Sequence, residues 1–231
     1  IDEFFDDQKK RLRSLYKEIK IEDLKRIKNI EKETNHDVKA IEYYIKEKMI
    51  EFGMNSQSEF VHFGLTSEDV NNLSYSLMLK LGLQQCVLPV LSVILDELEA
   101  QSKRNKSVSI LSLTHGQPAT PTTIGKEMAV YHSRLSENLN KLKNIDISGK
   151  FNGASGNFAS LRLAYPDLNW RSFSAKFIRM LGLYPSELST QIESHDNVAN
   201  VFNQLSVINN ILRDLDQDIW LYISREILKL K

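Results

Sequence analysis

The sequence predicts an all-α fold, a bundle of long helices joined by a few conspicuous loops. Apolar residues recur at steps of three and four through most of the chain, in a Lys/Glu-rich background. Near the end, Val201, Leu205, Ile208, Leu212, Leu215, Ile219 and Tyr222 alternate steps of four and three. That heptad seam requires another helix packed lengthwise against it. There is no internal repeat and no low-complexity linker.

Taken in order, residues 4–33 read as helix through Phe5, Leu12, Leu15 and Ile19, with Ile21-Glu22-Asp23 as the candidate break. Thr34-Asn35-His36-Asp37 is a polar interruption, and Asp37 is the expected N-cap of a second helix over 37–50. Val38, Ile41, Ile45 and Met49 form its expected buried face. Ser56-Gln57-Ser58-Glu59 and Thr66-Ser67-Glu68-Asp69 both have capping-box spacing. The second opens a helix expected to end at Gly82. A further helix covers 86–104, and the β-branched, alternating stretch 107–114 is expected to be extended. Thr120-Pro121 reads as an N-cap followed by proline at the first helical position. The helix beyond it carries Ile124, Met128, Tyr131, Leu135, Leu142 and Ile145. Gly153-Ala154-Ser155-Gly156-Asn157 is a loop, and a shorter helix spans 170–182.

Composition narrows the function. Thirty basic residues balance thirty acidic ones, so a general nucleic-acid or anionic-membrane binder, which needs a basic excess, is disfavoured. Cys86 is the only cysteine, which excludes an intrachain disulfide and fits a reducing, cytosolic setting. No apolar run reads as a membrane span of about 20 residues. Ile1-Asp2-Glu3 is acidic, without an initiator methionine or signal peptide, so the sequence reads as an internal piece of a longer protein. The five histidines lack a ligand-pair spacing, so no metal site is expected. Phosphate-binding glycine motifs and a Gly-x-Ser-x-Gly elbow are also missing.

The stretch Leu113 to Glu127 is the least necessary for a bundle. It packs an imidazole, an amide, four threonines, two prolines and two glycines into fifteen residues. His115 reads either as a loop histidine bonded to backbone or as a proton-transfer group, since imidazole titrates near neutrality. Gly116 permits close backbone approach and Pro118 restricts Gln117, so the loop is stiff under either reading. His36-Asp37 and Thr66-Ser67 read either as caps or as contacts for an anion. Thr66-Ser67, His115 and Gln191 each precede an expected helix start, and free N–H groups there suit an anion.

Four segments together resemble the adenylosuccinate lyase family, within the fumarase/aspartase superfamily. They are Thr34 to Tyr43, His62 to Asn72, Thr114 to Glu127, and Thr190 to Asp196; Lys150 to Asn157 is also similar. The resemblance runs over essentially the whole chain. It implies elimination of fumarate from adenylosuccinate to give AMP, and cleavage of the analogous succinylated carboxamide ribotide of purine biosynthesis, in the cytoplasm and without cofactor or metal. It implies His115 as general acid, and His36, with Asn35 and Asp37, as the segment that contacts substrate and supports the acid. Thr66 and Ser67 correspond to donors for a substrate carboxylate, and Thr114 and Gln191 to further substrate contacts. Lys126 and Glu127 match without an assigned role. Residues 1–57 correspond to the remainder of an N-terminal helical domain and 58–231 to part of a central bundle domain. The resemblance also implies a homotetramer with active sites shared between subunits. The family's serine base loop, its N-terminal Arg/Tyr segment and its C-terminal domain have no counterpart in this sequence. This piece alone is therefore expected to have no useful turnover. Two alternatives stay open: another superfamily lyase, such as one acting on argininosuccinate, and a non-catalytic helical assembly module.

Overall fold

In the computed structural model, which describes residues 4–230, helices dominate and strands are few, as the periodicity implies. Ile1-Asp2-Glu3 and Lys231 lie outside the described residues. Contacts group the chain into two compact units that interleave along the sequence. One holds the chain up to Tyr75 with Gly149–Ser194, and the other holds Ser76–Ser148 with the chain from His195. Residues 149–194 return to pack with the first seventy-five.

In the first unit, α1 (Asp6–Lys17) buries no residue. The break before α2 (Ile21–Thr34) falls at Lys20 rather than within Ile21-Glu22-Asp23. Lys20 is extended there, and its N–H donates to Asp23 at 2.9 Å. α2 ends on Asn35 in the left-handed conformation (φ 51°), and α3 (Asp37–Glu51) follows at once. Ile30 meets Ala40 and Tyr44, with Ile45 packed against them, so the inward face of α3 is wider than the expected one. Val38 and Met49 are buried as expected, but Ile41 is 42% exposed.

Glu42 is buried on α3 between Lys39 and Lys46, at 2.8 and 3.3 Å. Burial pushes its carboxyl up, but hydrogen bonds and charge from the two lysines outweigh this and hold it below its ordinary value of 4.5. A carboxyl lowered in the folded state stabilises the fold above its unfolded value, and that contribution is lost as pH falls through the folded one. Urea melts of wild type and Glu42→Gln should therefore differ most above about pH 5 and converge as the pH is lowered. A constant difference down to acid pH would contradict this.

Ser56 does not cap a helix. Asn55–Phe60 is a 3-10 turn without a side-chain cap, and the Ser56 hydroxyl bonds to Gln57 instead. Thr66 does open α4 (Ser67–Gly82), and its N–H donates to Asp69 at 3.0 Å, as a capping box requires. Beyond Gly149 lie α7 (Ala159–Ala164) and α8 (Trp170–Met180), which bury Phe158, Leu161 and Trp170 together with Phe151 and Tyr165.

In the second unit, Gly82 does not terminate the helix. It has ordinary helical angles (φ −59°, ψ −43°) and leads into a π-turn, Leu83–Val87, and then α5 (Leu88–Arg104). Pro89 explains the π-turn: its ring would press on the carbonyl of Gln85 in a regular helix, and a wider turn relieves the clash. Strands β1 (Ser109–Thr114) and β2 (Gln117–Thr123) form an antiparallel hairpin. Pro121 pairs with Leu111 inside it, so Thr120 is not a cap. The helix α6 (Ile124–Lys143) starts three residues later, capped by Thr123, whose hydroxyl accepts from the Lys126 N–H.

The core of this unit joins Leu91 and Leu98 of α5, Ile124 to Leu142 of α6, and Val201, Ile208 and Leu215 of α9 (Asp196–Ser224). Leu205, Leu212 and Ile219 pack partly buried against it, so the heptad seam does find its lengthwise partner. Ile211, outside the heptad, is buried as well. Tyr131 donates to Asp218, and Arg134 pairs with Asp214 at 2.7 Å, tying α6 to α9.

Gly125 is fixed by close approach. A Cβ there would lie 2.5 Å from the Ser102 carbonyl oxygen and 2.6 Å from the Lys106 backbone. Gly125→Ala should cost about 1–3 kcal/mol, the range for overpacking, in a urea melt. An unchanged midpoint would mean the α5–α6 contact yields freely.

Candidate active site

Four of the sequence-derived site residues meet in the first unit. His36 is the N-cap of α3, where Asp37 was expected; its Nδ1 accepts the Lys39 N–H at 3.3 Å. A neutral His36 that accepts at Nδ1 carries its proton on Nε2. Nε2 lies 3.2 Å from the Ser67 hydroxyl, so the imidazole donates to Ser67 and leaves the Ser67 O–H free to donate elsewhere. Asp37 Oδ1 also lies 3.3 Å from Nδ1. Asp37 itself sits at the first helical position, its carboxylate accepting from the Val38 N–H at 2.7 Å. Thr66 stands beside Ser67 at the start of α4, and its hydroxyl accepts from the Gln191 side chain at 3.4 Å. Asn35, His36 and Asp37 line an open cleft with Lys28, Glu31 and Lys32. Hydroxyls, amide and imidazole thus converge at the N-terminus of a sixteen-residue helix, an arrangement that suits a carboxylate.

Thr114 and His115 belong to the second unit, at the hairpin turn. Thr114 pairs with Gln117, leaving His115 and Gly116 as a two-residue loop with φ 51° and 76°. Positive φ at both positions is what a type I′ hairpin turn requires. The side chain of His115 is exposed and has no hydrogen bond or ion pair among the described residues, so the reading as a backbone-bonded loop histidine is not what the turn shows. The turn presents the imidazole outward on a stiff support. At the base of the hairpin, Glu127 accepts from Thr122 at 3.3 Å and pairs with Lys126 at 2.7 Å, fastening β2 to the start of α6.

Left-handed backbone marks these motifs. Asn35, His62, His115 and His195 all have positive φ, and each lies in a motif segment. A non-glycine residue held there costs on the order of 1–3 kcal/mol and persists only when its surroundings fix it. His62 is one the sequence reading left aside. Burial holds its imidazole below the ordinary histidine value, and the charges of Glu42, Lys39, Asp69 and His36 act on it, so it shares the His36 neighbourhood.

A second group missed from the sequence is buried beneath Thr66 and Ser67. Lys150 and Asp69 are fully buried and paired at 3.0 Å. Asn72 braces Lys150 through both backbone groups, at 2.8 and 3.0 Å. The signal was Lys150 itself, a lysine in a glycine-rich loop, whose pairing partner lies too far back in the chain for local pattern to reveal. Lys, Asp and Glu are almost never fully buried unless paired.

The second unit also contains an apolar cavity of about 1170 Å³, lined by residues such as Val93, Leu98, Ile110, Met128 and Leu215. None of the candidate site residues Asn35, His36, Asp37, Thr66, Ser67, Thr114, His115 and Gln191 lines it; its wall is mostly apolar, with Glu97, Gln101, Asn105, Ser109 and Arg225 among the lining side chains. Among the described residues no cluster of His, Cys, Asp and Glu is arranged to hold a metal ion.

Known proteins match this chain in sequence and in fold. The adenylosuccinate lyases of Buchnera aphidicola subsp. Schizaphis graminum and of Escherichia coli K12 are each 46% identical, over 95% and 88% of this chain, and that of Dictyostelium discoideum is 44% identical over 96%. The chain spans about half the length of these curated relatives, 45 to 49%. Among solved structures, a fumarate lyase from Mesorhizobium sp. BNC1 superposes with a TM-score of 0.78 at 20% identity, covering 95% of this chain and 50% of that one. The 3-carboxy-cis,cis-muconate lactonizing enzyme of Pseudomonas putida gives 0.71 at 21% identity, over 87% of this chain and 44% of its own. At that identity the likeness is one of fold, the helical architecture expected from the sequence. A family model described simply as lyase matches residues 2–231, and the chain belongs to that lyase family.

Proposed function

We propose that the whole protein eliminates fumarate from adenylosuccinate, giving AMP, and acts in the same way on the succinylated aminoimidazole carboxamide ribotide of purine biosynthesis. The observation that carries this is the meeting of His36, Ser67, Thr66 and Gln191 at the start of α4, in a chain 46% identical to adenylosuccinate lyases over nearly its whole length. In this reading Thr66 and Ser67 donate to a carboxylate of the succinyl group, with Ser67 oriented by the Nε2–H of His36. A base removes the proton on the carbon beta to the C–N bond, and the carbanion is delocalised into the adjacent carboxylate. Aimed donors lower the energy of that extra negative charge. His115 protonates the departing nitrogen. Asn35, Asp37, Thr114 and Gln191 contact substrate. No serine among the described residues is assigned as the base, and this chain alone is proposed to lack useful turnover.

The assembly proposed is a cytoplasmic homotetramer with shared sites, residues 1–57 and 58–231 belonging to its N-terminal and central domains. Surface composition supports association. The helical run Ser67–Arg104 is long and apolar enough, by composition, to pass for a membrane span, contrary to the sequence expectation, yet little of its apolar stretch is buried within the chain. Met78, Val90 and Val93 are 60% exposed or more, as is Trp220 of α9. Apolar stripes of this kind fit lengthwise packing against helices of other copies.

Substrate competition tests the reading. Adenylosuccinate should be turned over by the whole protein, and argininosuccinate should neither be cleaved nor compete. Preference for argininosuccinate would replace the proposal with that of a different superfamily lyase.

A further inference from the structure

Two segments of the first unit meet at one buried carboxylate, and a third loop is tied to the second of them. Asp69 Oδ1 takes the Lys150 ammonium at 3.0 Å and the Asn152 N–H at 3.0 Å. Its Oδ2 takes the N–H of Gly153 and the N–H of Thr66, each at 3.0 Å. Lys150 also donates to the Gly153 carbonyl at 3.2 Å. The third loop is fastened from the same segment: the Asn152 side chain donates to the Ser189 hydroxyl at 2.8 Å. Gly156, at φ 72°, lies so close that an added Cβ would sit 2.0 Å from the Ser189 carbonyl oxygen. Gln191, two residues on, is the side chain that reaches Thr66.

We propose that Lys150 and Asp69 are positioning residues, a buried ammonium–carboxylate centre that fixes the Thr66–Ser67 donors and the Gln191 loop in register for a substrate carboxylate. This rests on the carboxylate role given to Thr66 and Ser67 above. Neither group touches substrate, because both are fully buried. A structural salt bridge alone would be replaceable by apolar packing, often without loss of stability. Here one oxygen of the carboxylate is committed to the backbone N–H of a residue whose side chain faces the site, which apolar packing cannot reproduce. The dicarboxylate half of the substrate is therefore the half that should respond.

The test uses the whole protein with Asp69→Asn, and Lys150→Met/Asp69→Asn as a second variant that leaves no unpaired buried charge. The substituted amide keeps a single acceptor oxygen; with Lys150 still charged that oxygen stays on the ammonium, and an N–H faces Thr66 where an acceptor stood. Steady-state kinetics with adenylosuccinate are measured alongside separate affinities for fumarate and AMP. Fumarate affinity is expected to fall about tenfold or more and kcat/KM on the order of 10²-fold, the effect of misplacing a binding group by about 1 Å, while AMP affinity holds. In a Thr66→Ala/Ser67→Ala background the Asp69→Asn effect on fumarate should vanish, since residues acting through one another are not additive. Equal loss of fumarate and AMP affinity, a full Asp69→Asn effect in that background, or no effect at all would each overturn the proposal. A wild type that cleaves no adenylosuccinate would instead overturn the function on which it rests.

Discussion

His115→Asn in the whole protein is expected to lower turnover of adenylosuccinate by about 10²–10⁴-fold, the usual contribution of a general acid, with folding stability changed by less than about 0.5 kcal/mol. Asparagine is the informative replacement. It tolerates the left-handed backbone of the hairpin turn better than most residues, so the φ of 51° is kept without new strain. The native imidazole is exposed and unbonded among the described residues, so removing it deletes no interaction of the fold. His115→Ala would mix the loss of the acid with the strain of a left-handed alanine. Turnover within about tenfold of wild type in the asparagine variant would remove His115 from the mechanism. A large loss of both turnover and stability would mean that the turn, not the proton, was at fault.

Lys150→Met alone is expected to destabilise the protein by about 3–5 kcal/mol, the range for removing one partner of a buried ion pair. Asp69 would then be left charged and buried, holding three backbone N–H groups but no cation. Adding Asp69→Asn removes the stranded charge and should recover most of the loss. Urea melts of wild type, single and double variants decide this. A single variant within about 1 kcal/mol of wild type, in the range of an exposed pair, would show that water reaches Asp69.

Local pattern made the helices legible and also set the limits of the sequence reading. The α9 seam was readable because seven apolar residues share one helical face, and burial of Val201, Ile208 and Leu215 follows from it. The Gly82 and Thr120 expectations failed for a common reason. Each weighed a strong local signal, a glycine and a Thr-Pro pair, against neighbours it could not see. Gly82 sits within a run that Pro89 reshapes into a π-turn instead of ending. Pro121 sits in a strand because Leu111 pairs with it across the hairpin. Ile41 is exposed although Val38, Ile45 and Met49 of the same expected face pack inward, because Ile30 of α2 meets Ala40 and Tyr44 instead. At the site, Thr66 and Gln191 were both named from sequence, and the structure joins them over a separation of 125 residues. The Lys150–Asp69 centre was not legible as a pair, since local pattern offers only a lysine in a glycine-rich loop and an acid in a capping box, and their burial together joins residues 81 positions apart.

The central claim is that this chain carries donors and the acid of a fumarate-eliminating site. The most direct measurement follows adenylosuccinate through the change in purine ultraviolet absorbance in the purified whole protein, with fumarate and AMP quantified in the same reaction. The account predicts cleavage with fumarate and AMP released in equal amounts. A folded whole protein that leaves adenylosuccinate intact would contradict it and favour the non-catalytic helical assembly instead.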